Sequence, residues 1–185
     1  MRTAGPFVPR SADFLSPQHA FLKALSREKV EYLVVGVSGI NYYAKDARQV
    51  ISTMDYDVFI RPDAENLLRV VRAVLRHKCG LSYLNQDKKL VAIHKPNLRL
   101  CSKLAENKSV LLATGPYHTV YDLVQEISGF TYDQMRAKAV KLKDKKLGFS
   151  FSVGRLEDLL ESKRRAGRPK DILFIKKFKD VLLNP

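Results

Sequence analysis

The chain has no tryptophan, two cysteines and four histidines in 185 residues. Cys79 and Cys101 lie far apart without a C-x-x-C pair, and none of His19, His77, His94 and His118 stands in an H-E-x-x-H pattern. A disulfide framework and a structural zinc site are therefore not expected. Long apolar runs are also missing. Asp13, Gln18, Lys23 and Arg27 interrupt the beginning of the chain, so no secretory leader is expected. No later stretch approaches the length that spans a bilayer. A reducing cytoplasm is the expected compartment, with no membrane partner. Acidic residues are scarce: 19 Asp and Glu face 33 Lys and Arg, for a net charge of +14. Such a surface attracts polyanions: nucleic acid, nucleotides or acidic membrane. The rest is ordinary globular composition, 45% hydrophobic and 28% charged. The length suits one domain that buries roughly 70% of its unfolded surface.

Residues 1–15, with Pro6 and Pro9, read as an irregular arm. Ser16 and Pro17 form a helix start, followed by an apolar stripe of Phe21, Leu22 and Leu25. Val30 to Val35 reads as a buried strand, Ile40 to Ala44 as a short helix, and Met54 to Ile60 as an alternating strand. In that strand Met54, Tyr56, Val58 and Ile60 share a face. Pro62 and Asp63 open a longer helix. Leu90 to His94, Leu98 to Leu104, Val110 to Ala113 and Thr119 to Val124 read as strands. From Thr131 the chain is expected to be helical and basic through Arg136, Lys138, Lys141, Lys143, Lys145 and Lys146. Phe149 to Val153 reads as one more strand, followed by two helices broken at Gly167 and Pro169. This order predicts an α/β or α+β fold, a mixed sheet flanked by helices.

The sharpest local feature is Thr53-Met54-Asp55-Tyr56-Asp57. Alternate strand positions point to one side, so Asp55 and Asp57 project together, opposite Tyr56 and Val58. Two adjacent carboxylates resist joint ionisation. A hard divalent cation such as Mg²⁺ relieves that conflict when it shares the carboxylates with substrate phosphates. The other reading of the pair is the polar face of a solvated strand. Upstream, Val34-Val35-Gly36-Val37-Ser38-Gly39 runs from a strand through small residues towards a helix. Backbone N–H groups in such a turn can cradle phosphate, with Ser38 adding a hydroxyl. The other reading is a tight connection that needs glycine for its φ angle. The segment is neither a Walker loop nor a complete G-x-G-x-x-G.

With its strand, glycine-serine turn, helix and D-x-D strand in this order, the sequence resembles the polymerase-β-type nucleotidyltransferases. Within that superfamily it resembles the small stand-alone members related to the toxin halves of abortive-infection and toxin–antitoxin pairs. Their two motifs correspond to Gly36 to Gly39 and to Thr53 to Asp57. Val37 stands where many members have a second glycine. The arginine that often closely precedes the threonine is absent, and Lys45 and Arg48 are its candidate substitutes. The resemblance implies a third carboxylate on a later strand. Asp122, within Thr119 to Val124, is the candidate, ahead of Asp87 in a polar turn. It also implies a C-terminal helix with a lysine, then a Gly-Arg-x-Lys-Asp turn, matched by Lys163 and by Gly167 to Asp171. On the helical period Lys163 follows Leu156, Leu159 and Leu160 on the buried stripe, and Asp171 shares a face with Phe174 and Phe178. Lys163 is thus expected either on a triphosphate or in a pair with Asp171; Arg168 is the other candidate partner of Asp171.

The resemblance implies one nucleotidyltransferase-like domain over residues 16–185, ending in a basic helical tail. It implies transfer of a nucleoside monophosphate from a nucleoside triphosphate, such as ATP, to an acceptor hydroxyl. Asp55, Asp57 and Asp122 would hold Mg²⁺ or Mn²⁺, with Lys163 as a charge-balancing catalytic group. Gly36, Ser38, Gly39, Thr53, Lys45, Arg48 and Arg168 would bind the nucleotide. RNA, transfer RNA included, is a candidate acceptor, and an antitoxin-like protein a candidate partner. The competing expectation is a non-catalytic protein of the same fold that binds nucleic acid or a partner through its basic surface.

Overall fold

The computed structural model describes residues 16–45, 49–115 and 119–183. The expected N-terminal arm lies outside them. Helix α1 spans Ser16–Arg27, followed by strand β1, Tyr32–Val34. Helix α2, Gly36–Asn41, starts directly on the glycine turn, four residues earlier than the sequence pattern placed it. Strand β2 runs Asp55–Ile60, and Asp63 caps α3, Ala64–Arg76, by accepting from the Asn66 N–H. Strands β3, Gly80–Leu84, and β4, Leu90–Ala92, form a hairpin.

Leu98 to Leu104 is a helix, not a strand: α4 covers Leu98–Glu106. Asn97 caps it by accepting from the Leu100 N–H, and Cys101 and Leu104, three residues apart, are buried on one side. Then come β5, Leu111–Thr114, β6, Val120–Val124, and α5, Tyr132–Lys138, which a Thr131–Gln134 capping box opens. The basic stretch does not stay helical. Strand β7, Val140–Asp144, sends Lys141 and Lys143 outward while Leu142 and Asp144 are buried. Strand β8, Phe149–Val153, is followed by α6, Leu156–Ala166, and α7, Pro169–Leu183, with Gly167 in the left-handed region between them.

The eight strands form one mixed sheet in the order β4-β3-β5-β6-β2-β1-β8-β7. The register and the alternation of side chains assign every strand residue to a face. One face carries Tyr56, Val58, Tyr121, Leu123, Leu81, Leu111 and Val153 and packs in the larger core with α1, α3 and α4. The other carries Leu33 and Phe59, which join Ile40, Tyr132, Met135, Leu159 and Leu160 of α2, α5 and α6 in a smaller core. Asp55, Asp57 and Asp122 lie on this second face. Among the described residues no helix is long and apolar enough to cross a membrane.

A buried polar chain braces β2 from the larger core. His19 Nδ1 donates to the Asp144 carboxylate at 2.6 Å, His19 Nε2 is hydrogen-bonded to the Tyr42 hydroxyl at 2.8 Å, and the Tyr42 and Tyr56 hydroxyls are hydrogen-bonded to each other at 2.8 Å. Burial pushes the Asp144 carboxyl up, but the Leu147 N–H and the His19 ring outweigh it and hold the carboxyl below its usual range. Tyr56 lies between Asp55 and Asp57 in sequence, so this chain fixes the strand that presents them.

Candidate functional site

Parallel pairing of β2 with β6 places Asp57 and Asp122 directly opposite each other, and Asp55 opposite Val120. The two central carboxylates therefore project side by side from neighbouring strands about 4.8 Å apart. They sit in a cleft of about 900 Å³, which Asp55, Asp57 and Asp122 all line. Asp55 is exposed, whereas Asp57 and Asp122 are half-buried. Burial raises the Asp57 carboxyl to about 6; Asp122 and Asp55 add to the rise, and Lys163 and Lys170 oppose it. Burial likewise raises Asp122, with Asp55 adding to it and Lys170 opposing it. Among the described residues no hydrogen bond relieves either group.

Gly36 has φ +63°, and a Cβ placed there would fall 1.9 Å from Asp57 Oδ2. The turn therefore demands glycine twice, for its backbone angle and for the carboxylate lying against it. Gly36 and Val37 line the cleft. Ser38 and Gly39 do not. The Ser38 hydroxyl donates to the Asp55 carbonyl at 3.1 Å and ties the turn to the start of β2. Gly39 gives its N–H to Val35 inside α2, and a Cβ there would meet Leu159 of α6 at 3.1 Å. Thr53 lines the cleft and donates to the same Asp55 carbonyl at 3.2 Å. Met54 lies outside β2 and is 93% exposed, so it does not share the buried face of Tyr56. Lys45 does not line the cleft, and Arg48 lies outside the described residues.

The opposite wall comes from α6, α7 and the turn between them. Lys163 and Arg168 line the cleft, and both are paired with Asp171. The distances are 3.2 Å from Lys163 Nζ and 2.5 Å from Arg168 Nε. Both pairings anticipated for Asp171 thus occur together, and Lys163 still borders the site. Asp171 is 1% exposed; burial pushes its carboxyl up, but the two cations outweigh it and hold it below its usual range. Lys163 also stands over the Phe174 ring, 4.7 Å from its centre.

Four further cleft residues were not singled out from the sequence: Lys170, Ser162, and the pair Lys108–Glu126 at 3.0 Å. Lys170 was recoverable, because it belongs to the Gly-Arg-Pro-Lys-Asp turn. Among the described residues it is the one cleft-lining cation outside an ion pair.

The donor set fits a hard cation that keeps some of its waters. Asp57 and Asp122 supply oxygens side by side, with Asp55 at the rim. Among the described residues no three His, Cys, Asp or Glu side chains form a ready-made ligand cluster. The available set is therefore a pair to be completed by water and phosphate oxygens. No protein-family model matches the chain, and no curated protein sequence matches it.

Proposed function

We propose that this protein transfers a nucleoside monophosphate from a nucleoside triphosphate to an acceptor hydroxyl and releases pyrophosphate. The observation that carries the reading is the register pairing of Asp57 with Asp122 in a cleft whose facing wall is cationic. Asp57 and Asp122, with Asp55 at the rim, would hold Mg²⁺ or Mn²⁺. When bound, that ion would neutralise phosphate charge and orient the α-phosphate.

The protein's own residues do the rest. Gly36 keeps the backbone clear beside Asp57, so that a phosphate can approach the carboxylate. Lys170, outside any ion pair among the described residues, takes a phosphate oxygen at the α6–α7 wall. Lys163 and Arg168, held in place by Asp171, add positive potential where negative charge develops on the departing pyrophosphate. Asp122, raised above the usual carboxylate range by burial, accepts the proton of the acceptor hydroxyl. Ser38 and Thr53 act indirectly, holding the start of β2 through the Asp55 carbonyl.

The test is incubation with Mg²⁺ and each triphosphate labelled at the α- or γ-phosphate, with total cell extract as acceptor source. The reading predicts label from the α-position alone in a macromolecular product. It also predicts at least a thousandfold loss in Asp57→Asn and Asp122→Asn. Label from the γ-position, or undiminished transfer by either variant, contradicts it.

A further inference from the structure

The cleft extends well past the carboxylates. Asp122, Val124 and Glu126 line it in succession along β6 and the bend that follows, while Leu123 and Gln125 are buried. Four residues at about 3.3 Å each put Glu126 up to about 13 Å beyond Asp122. The cations that bear on Asp57 are Lys163 and Lys170, and Lys170 bears on Asp122 as well, so the phosphates belong at that wall. The other end has apolar sides, formed by Val110, Val124 and Ile127. Its tip is polar: Lys108 Nζ donates to Glu126 Oε1 at 3.0 Å, and both residues line the cleft. Apolar sides with a few placed polar groups suit a flat heterocycle.

The backbone around this tip is held from within. Gln125 is 2% exposed, and its amide donates to the Leu104 carbonyl at 3.0 Å and to the Ser109 carbonyl at 2.6 Å. Those two carbonyls flank the turn that carries Lys108. One buried side chain therefore ties that turn to the backbone of Glu126, the next residue. The Ile127–Phe130 turn is held as well. Arg165 of α6 donates to the Gly129 carbonyl at 3.0 Å and stands over the Phe130 ring. Gly129 has φ +85°, and a Cβ there would fall 2.1 Å from Arg165 Cδ, so this turn too requires glycine.

The tip has a hydrogen-bonding order. An ammonium only donates and a carboxylate only accepts. Lys108 Nζ, Glu126 Oε1 and Glu126 Oε2 thus present donor, acceptor, acceptor in a row, and among the described residues no partner engages Oε2. Guanine carries the complement along one edge: O6 accepts, N1–H donates and the 2-amino group donates. The other bases do not. Adenine meets the pair with one donor and one acceptor and leaves a carboxylate oxygen bare. Uracil sets a carbonyl against a carboxylate oxygen. Cytosine repeats the order of the tip itself.

We propose that Lys108 and Glu126 read a guanine base, so that the nucleotide donor is guanosine triphosphate. This rests on the nucleotidyl-transfer reading above. Lys108 donates to O6, and the two oxygens of Glu126 accept from N1–H and from the 2-amino group. Both side chains touch the base and not the reacting atoms, so they set which nucleotide is used. The transfer is that of guanosine monophosphate. The acceptor oxygen bonds to the α-phosphorus and its proton passes to Asp122. The bond from that phosphorus to the bridging oxygen breaks, and pyrophosphate leaves with the electron pair.

The experiment is calorimetric titration of the full chain with the guanosine, adenosine, cytidine and uridine triphosphates in Mg²⁺, without acceptor. The guanosine nucleotide should bind about tenfold or more tighter than the other three. Inosine triphosphate, which lacks only the 2-amino group, should bind more weakly than the guanosine nucleotide. Glu126→Gln should bring guanosine and adenosine triphosphate to within about twofold of each other. Its urea midpoint should match the parent's, since the Lys108–Glu126 pair is solvent-exposed. Lys108→Met should likewise weaken binding of the guanosine nucleotide. Equal binding of all four, tightest binding of another base, or a guanine preference that survives Glu126→Gln overturns the base assignment and leaves nucleotidyl transfer standing. Binding of no triphosphate by the parent overturns the transfer reading and this inference with it.

Discussion

Asp57 is a carboxylate held where its charge is disfavoured. Its ordinary value is 3.8, and burial with Asp122 and Asp55 nearby moves it to about 6. Without metal, the folded protein therefore binds this proton more tightly than the unfolded chain does. The contribution of Asp57 to stability falls as pH rises from about 4 to about 6 and stays unfavourable above that. Asp57→Asn removes the charge but keeps the shape. In chelator at pH 8 the variant should be more stable than the parent by about 3 kcal/mol. Urea unfolding should show that advantage shrinking to nothing near pH 4; a variant less stable at pH 8 contradicts the strain. The D-x-D pair itself was legible in the sequence, because strand alternation needs only local spacing. The partnership of Asp57 with Asp122 was reached only through the resemblance, since register between distant strands leaves no mark in either segment.

Helices α6 and α7 are joined by a buried charge rather than by apolar contact alone. Asp171 meets Lys163 and Arg168, and Phe174 packs into the smaller core. Asp171→Ala would leave the little-exposed Lys163 ammonium without its carboxylate. A loss of about 3 kcal/mol in urea unfolding is expected, with Asp171→Asn losing less. No change in midpoint would mean that the clasp carries no weight. Elements differed in how openly they showed themselves. Helix α3 announces itself with Asp63 and a regular stripe. In α4, Leu98, Leu100 and Leu104 sit at even spacings and imitate a strand; the Asn97 cap and the Cys101–Leu104 spacing are the helical signals. Strand β7 hides in a lysine run because its inward residues, Leu142 and Asp144, are outnumbered by outward cations. Strand β3, Gly80–Leu84, opens on glycine and carries little alternation.

Across the whole molecule, charge and apolar surface are segregated. Residues 131–178 hold 14 Lys and Arg against six Asp and Glu, so most of the excess positive charge sits on α5, β7 and the α6–α7 wall. Among the described residues, no lysine or arginine projects from the site face on β3, β4, β5 or β6. Composition alone pointed to a polyanion partner, and the distribution divides that attraction: a cationic wall faces the carboxylates, and an aliphatic strip lies beside them. The central claim is that Asp57 and Asp122 together make a divalent-cation site, and Mn²⁺ titration followed by electron paramagnetic resonance tests it most directly. With a non-hydrolysable triphosphate present, about one Mn²⁺ or more per chain should bind, and Asp57→Asn or Asp122→Asn should weaken binding at least tenfold. Equal binding by parent and both variants would contradict the claim.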